Sequence, residues 1–193
     1  MHLVEIGAYT AQKDLWMLFC IYWLVFALNR KRTKRREAWH ERVAYTIPVV
    51  IAVWLLYSGD VRLRWLDMRV VPSMPAAQWI GVLTTAAGIG IAFWARWHLG
   101  TNWSGMVTLK EGHELIRTGP YRSIRHPIYT GILVGALGTA VTLGEVRGFV
   151  AVGAGWLAFY MKARREESFL AQEFGSGFAE HRRQTGMFFP RFS

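Results

Sequence analysis

One cysteine, Cys20, occurs among 193 residues, so the chain can neither close a disulfide on itself nor build a cysteine metal cage. Cys20 lies within an apolar run, where a small buried residue is expected. Acidic residues are scarce: 13 stand against 23 lysines and arginines, leaving a formal charge of +10. The usual nucleotide and hydrolase signatures are missing as well. No G-x-G-x-x-G opens a helix after a strand, and there is no P-loop, G-x-S-x-G elbow or H-E-x-x-H pair. If a nucleotide-like cofactor binds, its site is not a Rossmann crevice. The first apolar block has no basic stretch ahead of it and no small-residue cleavage site behind it, which predicts a retained membrane helix rather than a cleaved signal.

What is present is apolar surface in separated blocks. Hydrophobic residues make up 52% of the chain and mean hydropathy is positive at +0.17, which points to an integral membrane protein. The first block, residues 15–28, reads LWMLFCIYWLVFAL, and residues 9–11 can extend it toward the ~20 residues that a bilayer core requires. Further blocks lie at 43–57, 76–97, 128–143 and 149–161. The expectation is one all-α domain over 1–193 with about five transmembrane helices: three spans in 1–97, and the chemistry in 98–193. Spans four and five are joined only by GEVRG, which demands a tight helical hairpin. Glycines at 131, 135 and 138 and at 148, 153 and 155 suit close approach between helix backbones.

The basic residues sit between these blocks. Arg30, Lys31, Arg32, Lys34, Arg35, Arg36 and Arg42 fill the first loop, a density that the positive-inside rule assigns to the cytoplasm. Five crossings then place 98–127 and 162–193 on the same side, both basic. The loop at 58–75 dissents, because Arg62, Arg64 and Arg69 fall outside, partly offset by Asp60 and Asp67. Charge in this arrangement meets anionic lipid head groups. Nucleic acid is excluded as partner, since no zinc-finger spacing, RNA-binding sheet motif or soluble domain of useful length is found.

Residues 98–129 and 162–189 hold most of the remaining polar chemistry. In TGPYRSIRHPIYTG, at 118–131, Gly119-Pro120 makes a turn and Pro127 suits the first turn of a helix, while His126 before it is pushed toward an extended backbone. Arg125 and His126 would then stand beside free backbone amides, a ready place for an anionic group. The alternative is interfacial: snorkelling Arg125 and His126 with Tyr121 and Tyr129 as an aromatic belt. In KARREESFLAQEFG, Lys162 and Glu166 are four apart and share a helix face, with Glu167 turned away by roughly 100°. That pairing reads either as a surface ion pair or as a carboxylate placed to hold a cationic amine. His113 and Glu114 hint at metal or acid–base work, but three ligands at metal spacing are missing, so no metal is expected.

Taken together, LGTNWSG at 99–105, GHELIRTGPYRSIRHPIYTG at 112–131, EESFLAQEFG at 166–175 and the closing RRQTGMFFP resemble the isoprenylcysteine carboxyl methyltransferase family. These are membrane enzymes that use S-adenosylmethionine. The likeness covers roughly the second half of the chain; the first half matches only in hydropathy. It implies that His113, Glu114, Leu115 and Ile116 contact the cofactor around its adenine end. Tyr121, His126, Pro127, Ile128 and Tyr129 would complete the pocket, and Glu166 would meet the charged amino-acid end. The family places an arginine four residues before that glutamate to engage the substrate. Lys162 stands there instead, with Arg164 or Arg165 able to substitute from the next turn and Arg125 as a second catalytic candidate.

The implied function is methyl transfer from S-adenosylmethionine to a lipid-like or prenylated small molecule, most simply an isoprenylcysteine-type carboxylate, at the cytoplasmic membrane surface. A phospholipid N-methyltransferase looks similar in the same region. An NADPH-dependent membrane sterol or enone reductase is the third enzymatic reading, against which five spans argue, and a non-catalytic membrane scaffold is the fourth.

Overall fold

The computed structural model describes residues 2–27, 33–36, 39–58, 63–100, 103, 108–110 and 114–191. Its long helices are α1 (His2–Ala27), α2 (Trp39–Tyr57), α3 (Pro75–Leu99), α4 (Pro127–Leu143) and α5 (Val146–Phe174), followed by a short α6 (Ser176–Gln184). Each apolar block lies in one of them, although Leu28 falls outside the described residues. The all-α expectation needs one addition, because β1 (Thr33–Arg36) and β2 (Thr108–Lys110) form a two-stranded antiparallel ribbon. Neither strand is signalled by alternation. The pairing joins the first basic loop to the loop ahead of α4 across more than seventy residues.

The five long helices run alternately between two ends. At one end Arg96, near the end of α3, donates to the Phe26 carbonyl of α1 at 2.9 Å, and Arg165 of α5 pairs with Glu41 at the start of α2 at 2.9 Å. At the other end Arg147, at the start of α5, reaches the carbonyls of Leu55 and Ser58 at the end of α2. The basic loop, the start of α4 and the end of α5 therefore share one end. α4 and α5 are separated by only Gly144 and Glu145, the tight hairpin that GEVRG requires. Gly144 has φ 76° and caps α4 through its N–H to Ala140 O at 2.8 Å. Its left-handed backbone strongly favours glycine.

α3 and α4 pack with their backbones nearly touching. A Cβ on Gly88 would come within 2.5 Å of Gly131 O, one on Gly131 within 2.5 Å of Gly88 O, and one on Gly81 within 2.6 Å of Gly138 O. The glycines of span four thus serve mainly α3. Of those in span five, Gly148 sits against Ala140, with a Cβ only 2.9 Å from Ala140 Cα, whereas Gly153 has open space. Threonines and a glutamine fill the seam. Gln12 donates to Thr85 Oγ1 at 2.7 Å and to Thr139 Oγ1 at 2.6 Å, while Thr85 Oγ1 donates to Gly135 O at 2.9 Å. Three helices are so joined by buried hydrogen bonds that have no water to compete with them.

The outside is apolar where the inside is polar. Leu18, Ile21 and Leu24 of α1, Val50 and Trp54 of α2, Ile80 and Leu83 of α3 and Leu157 of α5 are all exposed. Cys20 joins them, exposed on α1 and not buried as its apolar setting suggested: the run around it faces outward. Large apolar residues arranged outside a polar seam form a surface that water would penalise and hydrocarbon would not. Among the described residues one helix, Pro75–Leu99, is long and apolar enough to cross a membrane by itself, and Pro127–Leu143 is apolar but shorter.

Candidate functional site

The strongest concentration of buried charge lies where the start of α4, the end of α5 and the C-terminal tail meet. Sequence places His126 one residue before Pro127, and the fold uses that position as the helix N-cap, with φ −125° and ψ 58°. The φ is extended but the ψ is not. Both backbone groups are engaged: the N–H donates to Met187 O at 3.1 Å and the carbonyl accepts from Thr130 N at 3.1 Å. The N–H groups of Arg125 and His126 are therefore both taken by the tail. Arg125 N donates to Gly186 O at 2.9 Å, Gly186 N to Ser123 O at 3.1 Å, and Thr130 Oγ1 to Phe188 O at 2.8 Å. The tail is stitched onto the loop ahead of α4 by backbone pairing, which drives Phe188 into the core.

Two adjacent glutamates of α5 grip the two nitrogens of His126. Nδ1 lies 3.4 Å from Glu166 Oε2 and Nε2 lies 3.3 Å from Glu167 Oε1. The 100° turn between the glutamates does not send Glu167 to solvent, because the tail covers that face of α5; Glu167 is buried at 4% exposure. Arg125 Nε donates to Glu167 Oε1 at 2.7 Å, and its Nη1 donates to the carbonyl of Thr185. Arg125 thus braces the tail against α5. Burial raises the Glu167 carboxyl, but hydrogen bonds from His126 and Arg125 outweigh burial and bring it down to about 2. Glu166 is likewise held below its ordinary value: burial opposes ionisation, and the His126 hydrogen bond and the Lys162 charge overcome it. For His126 burial favours the neutral ring, yet the two carboxylates win and raise its pKa.

Aromatic rings wall the Glu166 side of this cluster. Tyr129 donates its hydroxyl to Glu166 Oε1 at 2.6 Å, stacks on Phe159 with centroids 4.7 Å apart, and lies parallel to the His126 ring at 5.4 Å. The Lys162 ammonium stands 5.3 Å from the Tyr129 ring centroid and 5.7 Å from that of Tyr45. Tyr121, Ile128, Trp103 and Phe188 are buried in the same cluster, with Ile116 packed against it. Arg96 closes the top, its guanidinium 4.6 Å over the Trp103 ring. Burial pushes the Tyr121 phenol above its usual range, with Glu166 adding and Arg96 opposing.

The fold therefore gathers Ile116, Tyr121, His126, Pro127, Ile128, Tyr129, Lys162 and Glu166 into one region. Glu114 is exposed and Leu115 half-buried, while His113 lies outside the described residues. Tyr45, Trp103, Arg96, Glu167 and Phe188 were not singled out from sequence. The adjacent acids and the closing MFFP were visible signals for Glu167 and Phe188. Nothing local marks Tyr45 of α2, whose place depends on α2 lying beside α5.

A carboxylate 23% exposed, bonded once to a tyrosine and once to a histidine, retains acceptor positions for another donor. The ring faces beside it already hold one cation, the Lys162 ammonium, as electron-rich faces do. Chemically, the arrangement can accept a further cationic donor.

The family model described as phospholipid methyltransferase matches residues 76–177. A protein-S-isoprenylcysteine O-methyltransferase of Dictyostelium discoideum is 27% identical over 124 residues, 62% of this chain and 52% of that protein. A cobalt-zinc-cadmium resistance protein of Cupriavidus metallidurans is 32% identical over 97 residues, 49% of this chain and 44% of that protein. The solved structure of a eukaryotic intramembrane Ras methyltransferase, isoprenylcysteine carboxyl methyltransferase, superposes with a TM-score of 0.57 at 24% identity. It covers 76% of this chain and 52% of that one, a likeness of fold. The chain spans about half the length of the curated relatives it matches.

Proposed function

Because the chain belongs to the phospholipid methyltransferase family, we propose that it transfers a methyl group from S-adenosylmethionine to a lipid-like or prenylated carboxylate. The site is the region between the loop ahead of α4 and the extension of α5. The observation that carries this reading is Glu166, an ionised and partly accessible carboxylate tied to Tyr129 and His126 and set against cation-accepting rings. When bound, S-adenosylmethionine supplies an electrophilic methyl on a positively charged sulfur.

The residues here divide the remaining work. Glu166 holds the cationic amino group, and Tyr129 and His126 fix the direction of its oxygens. The buried Tyr121, Ile128 and Phe188 keep water away, which strengthens every charge interaction inside. Lys162 offers its ammonium to the anionic group of the substrate, without the planar fork an arginine would bring. Arg125, braced between Glu167 and the tail, acts as a positioning residue. His113 to Ile116 are assigned to the adenine end of the cofactor.

His126 also bears on the nucleophile. Its two nitrogens face two carboxylates, so neither is open to take a proton from an incoming amine. A carboxylate arrives deprotonated and needs alignment, not a base. That favours O-methylation over methylation of a phospholipid amine. The apolar band on the outer helix faces fits a multi-pass membrane protein, with the lipid-like substrate entering from the bilayer and the cofactor from the cytoplasm, the side to which the basic loops point.

Calorimetric titration of the detergent-purified chain tests the reading. S-adenosylhomocysteine should bind and NADPH should not; NADPH binding would favour a reductase, and binding of neither a scaffold. With radiolabelled methyl donor, a panel of prenyl-thiol acids, phospholipid amines and sterols then identifies the acceptor.

A further inference from the structure

Beyond the Glu166 region, a separate cleft of about 390 Å³ opens between the end of α5 and α6. Ala171, Phe178 and Ala179 line it together with Arg182, Arg183 and Arg191. We propose that this cleft binds a phosphate-bearing anion, with the three arginines as its ligands. The proposal is independent of the methyl-transfer reading.

Cations outnumber acids around the cleft. Arg117 approaches from the loop ahead of α4, donating to Gly177 O at 2.6 Å, so four guanidiniums gather at α6. Of the nearby acids, Glu180 pairs with Arg183, and Glu167 is buried and already bonded to Arg125 and His126. His181, on the buried face of α6, registers the surplus: burial pushes its imidazole down, and Arg117 and Arg125 push it further.

The arginines are also placed for a ligand. Arg191 is pinned through Nη1 to Arg183 O at 2.9 Å, which holds the tail arginine over the cleft. Arg182 is half exposed and only 3.8 Å from Glu167 Oε2, too far for a good hydrogen bond. That contact leaves guanidinium donors for a ligand. Guanidiniums meet phosphate oxygens in paired hydrogen bonds, and several arginines around one cleft suit a phosphate better than a single carboxylate. The volume lies within the range of small-ligand pockets. Either a free phosphate or the head group of an anionic phospholipid presents this chemistry.

The test uses the full chain in neutral detergent, titrated with inorganic phosphate, dihexanoyl phosphatidylglycerol and dihexanoyl phosphatidylcholine. Two double variants remove equal charge: R183Q/R191Q from the cleft and K13Q/R64Q from exposed positions elsewhere. Binding of phosphatidylglycerol but not phosphatidylcholine, weakened about tenfold or more in R183Q/R191Q and little changed in K13Q/R64Q, supports a head-group site. Phosphate binding as tightly, with the same loss, supports the site with free phosphate as its source. Absence of binding by either anion, or equal losses in the two double variants, overturns the proposal. Should R183Q/R191Q fail to fold, R183Q alone decides, since the Arg191 bond is to the backbone of residue 183; a loss of about threefold is expected.

Discussion

Two arginines with nearly equal burial sit at opposite ends of this bundle, and only one borders the proposed site. Arg147 lies against Glu145 at 2.6 Å and Asp67 at 3.7 Å, and spends its Nη1 on the carbonyls of Leu55 and Ser58. Arg125 lies against Glu167 at 2.7 Å and spends its Nη1 on the Thr185 carbonyl. Both close a loop onto α5. Among the described residues Arg147 meets loop carboxylates, backbone carbonyls and the Ser58 hydroxyl, whereas around Arg125 the carboxylate passes contact on to His126, then to Glu166, Tyr129 and Lys162. A buried ion pair is thus weak evidence for function. What marks a site is a further carboxylate with spare acceptor capacity beside aromatic faces.

Variants can break that contrast, beginning with the largest effect. R147M leaves Glu145 and part-buried Asp67 without their cation and should cost about 3–5 kcal/mol of stability. Thermal melts check this, and S-adenosylhomocysteine affinity of the folded fraction should be unchanged. E166Q removes a carboxylate that His126, Tyr129 and Lys162 stabilise, so it should lower the melt while leaving the protein folded, and weaken S-adenosylhomocysteine binding by about 10- to 100-fold, the range for losing a hydrogen bond to a charged group. Y129F, which removes one donor to Glu166, should weaken the same binding by about tenfold or less. E180Q, on a pair with side chains 70% and 43% exposed, should leave the melt near wild type, because water screens an exposed ion pair.

Acid separates two members of the Arg125 cluster. Because the folded Glu167 carboxyl is lowered from 4.5 to about 2, its stabilisation is fully present above 4.5 and is lost as pH falls toward 2. His126 has the opposite sign: its pKa is raised on folding, so its contribution is present below 6.5 and fades as pH rises through the folded value. In E167Q the acid-side loss should shrink. A melt-against-pH series on the two proteins measures the difference, and identical acid slopes would remove Glu167 from the account.

Much of this was legible in the sequence because it is local or periodic. The helical blocks, the GEVRG hairpin, Pro127 at a helix start and the Lys162–Glu166 face all follow from hydropathy, turn chemistry and 3.6-residue spacing. What was hidden is long-range. Glu167 reads as turned away until the tail, pairing through Gly186 and Met187, covers it. The β1–β2 ribbon joins segments whose pairing no alternation announces. Gln12 reads as a polar interruption of a helix until Thr85 and Thr139 from two other helices meet it. The glycines of α4 announced close packing but not that α3 was the main partner.

The central claim is that the loop ahead of α4 and the extension of α5 enclose one methyl-donor site. Ultraviolet cross-linking of radiolabelled S-adenosylmethionine to the purified chain, followed by peptide mapping, tests it directly. Label is predicted in peptides carrying Tyr121, Tyr129 or residues 162–167, and it should disappear with excess S-adenosylhomocysteine. Label confined to α1 or to the Arg147 end of the bundle would contradict the account.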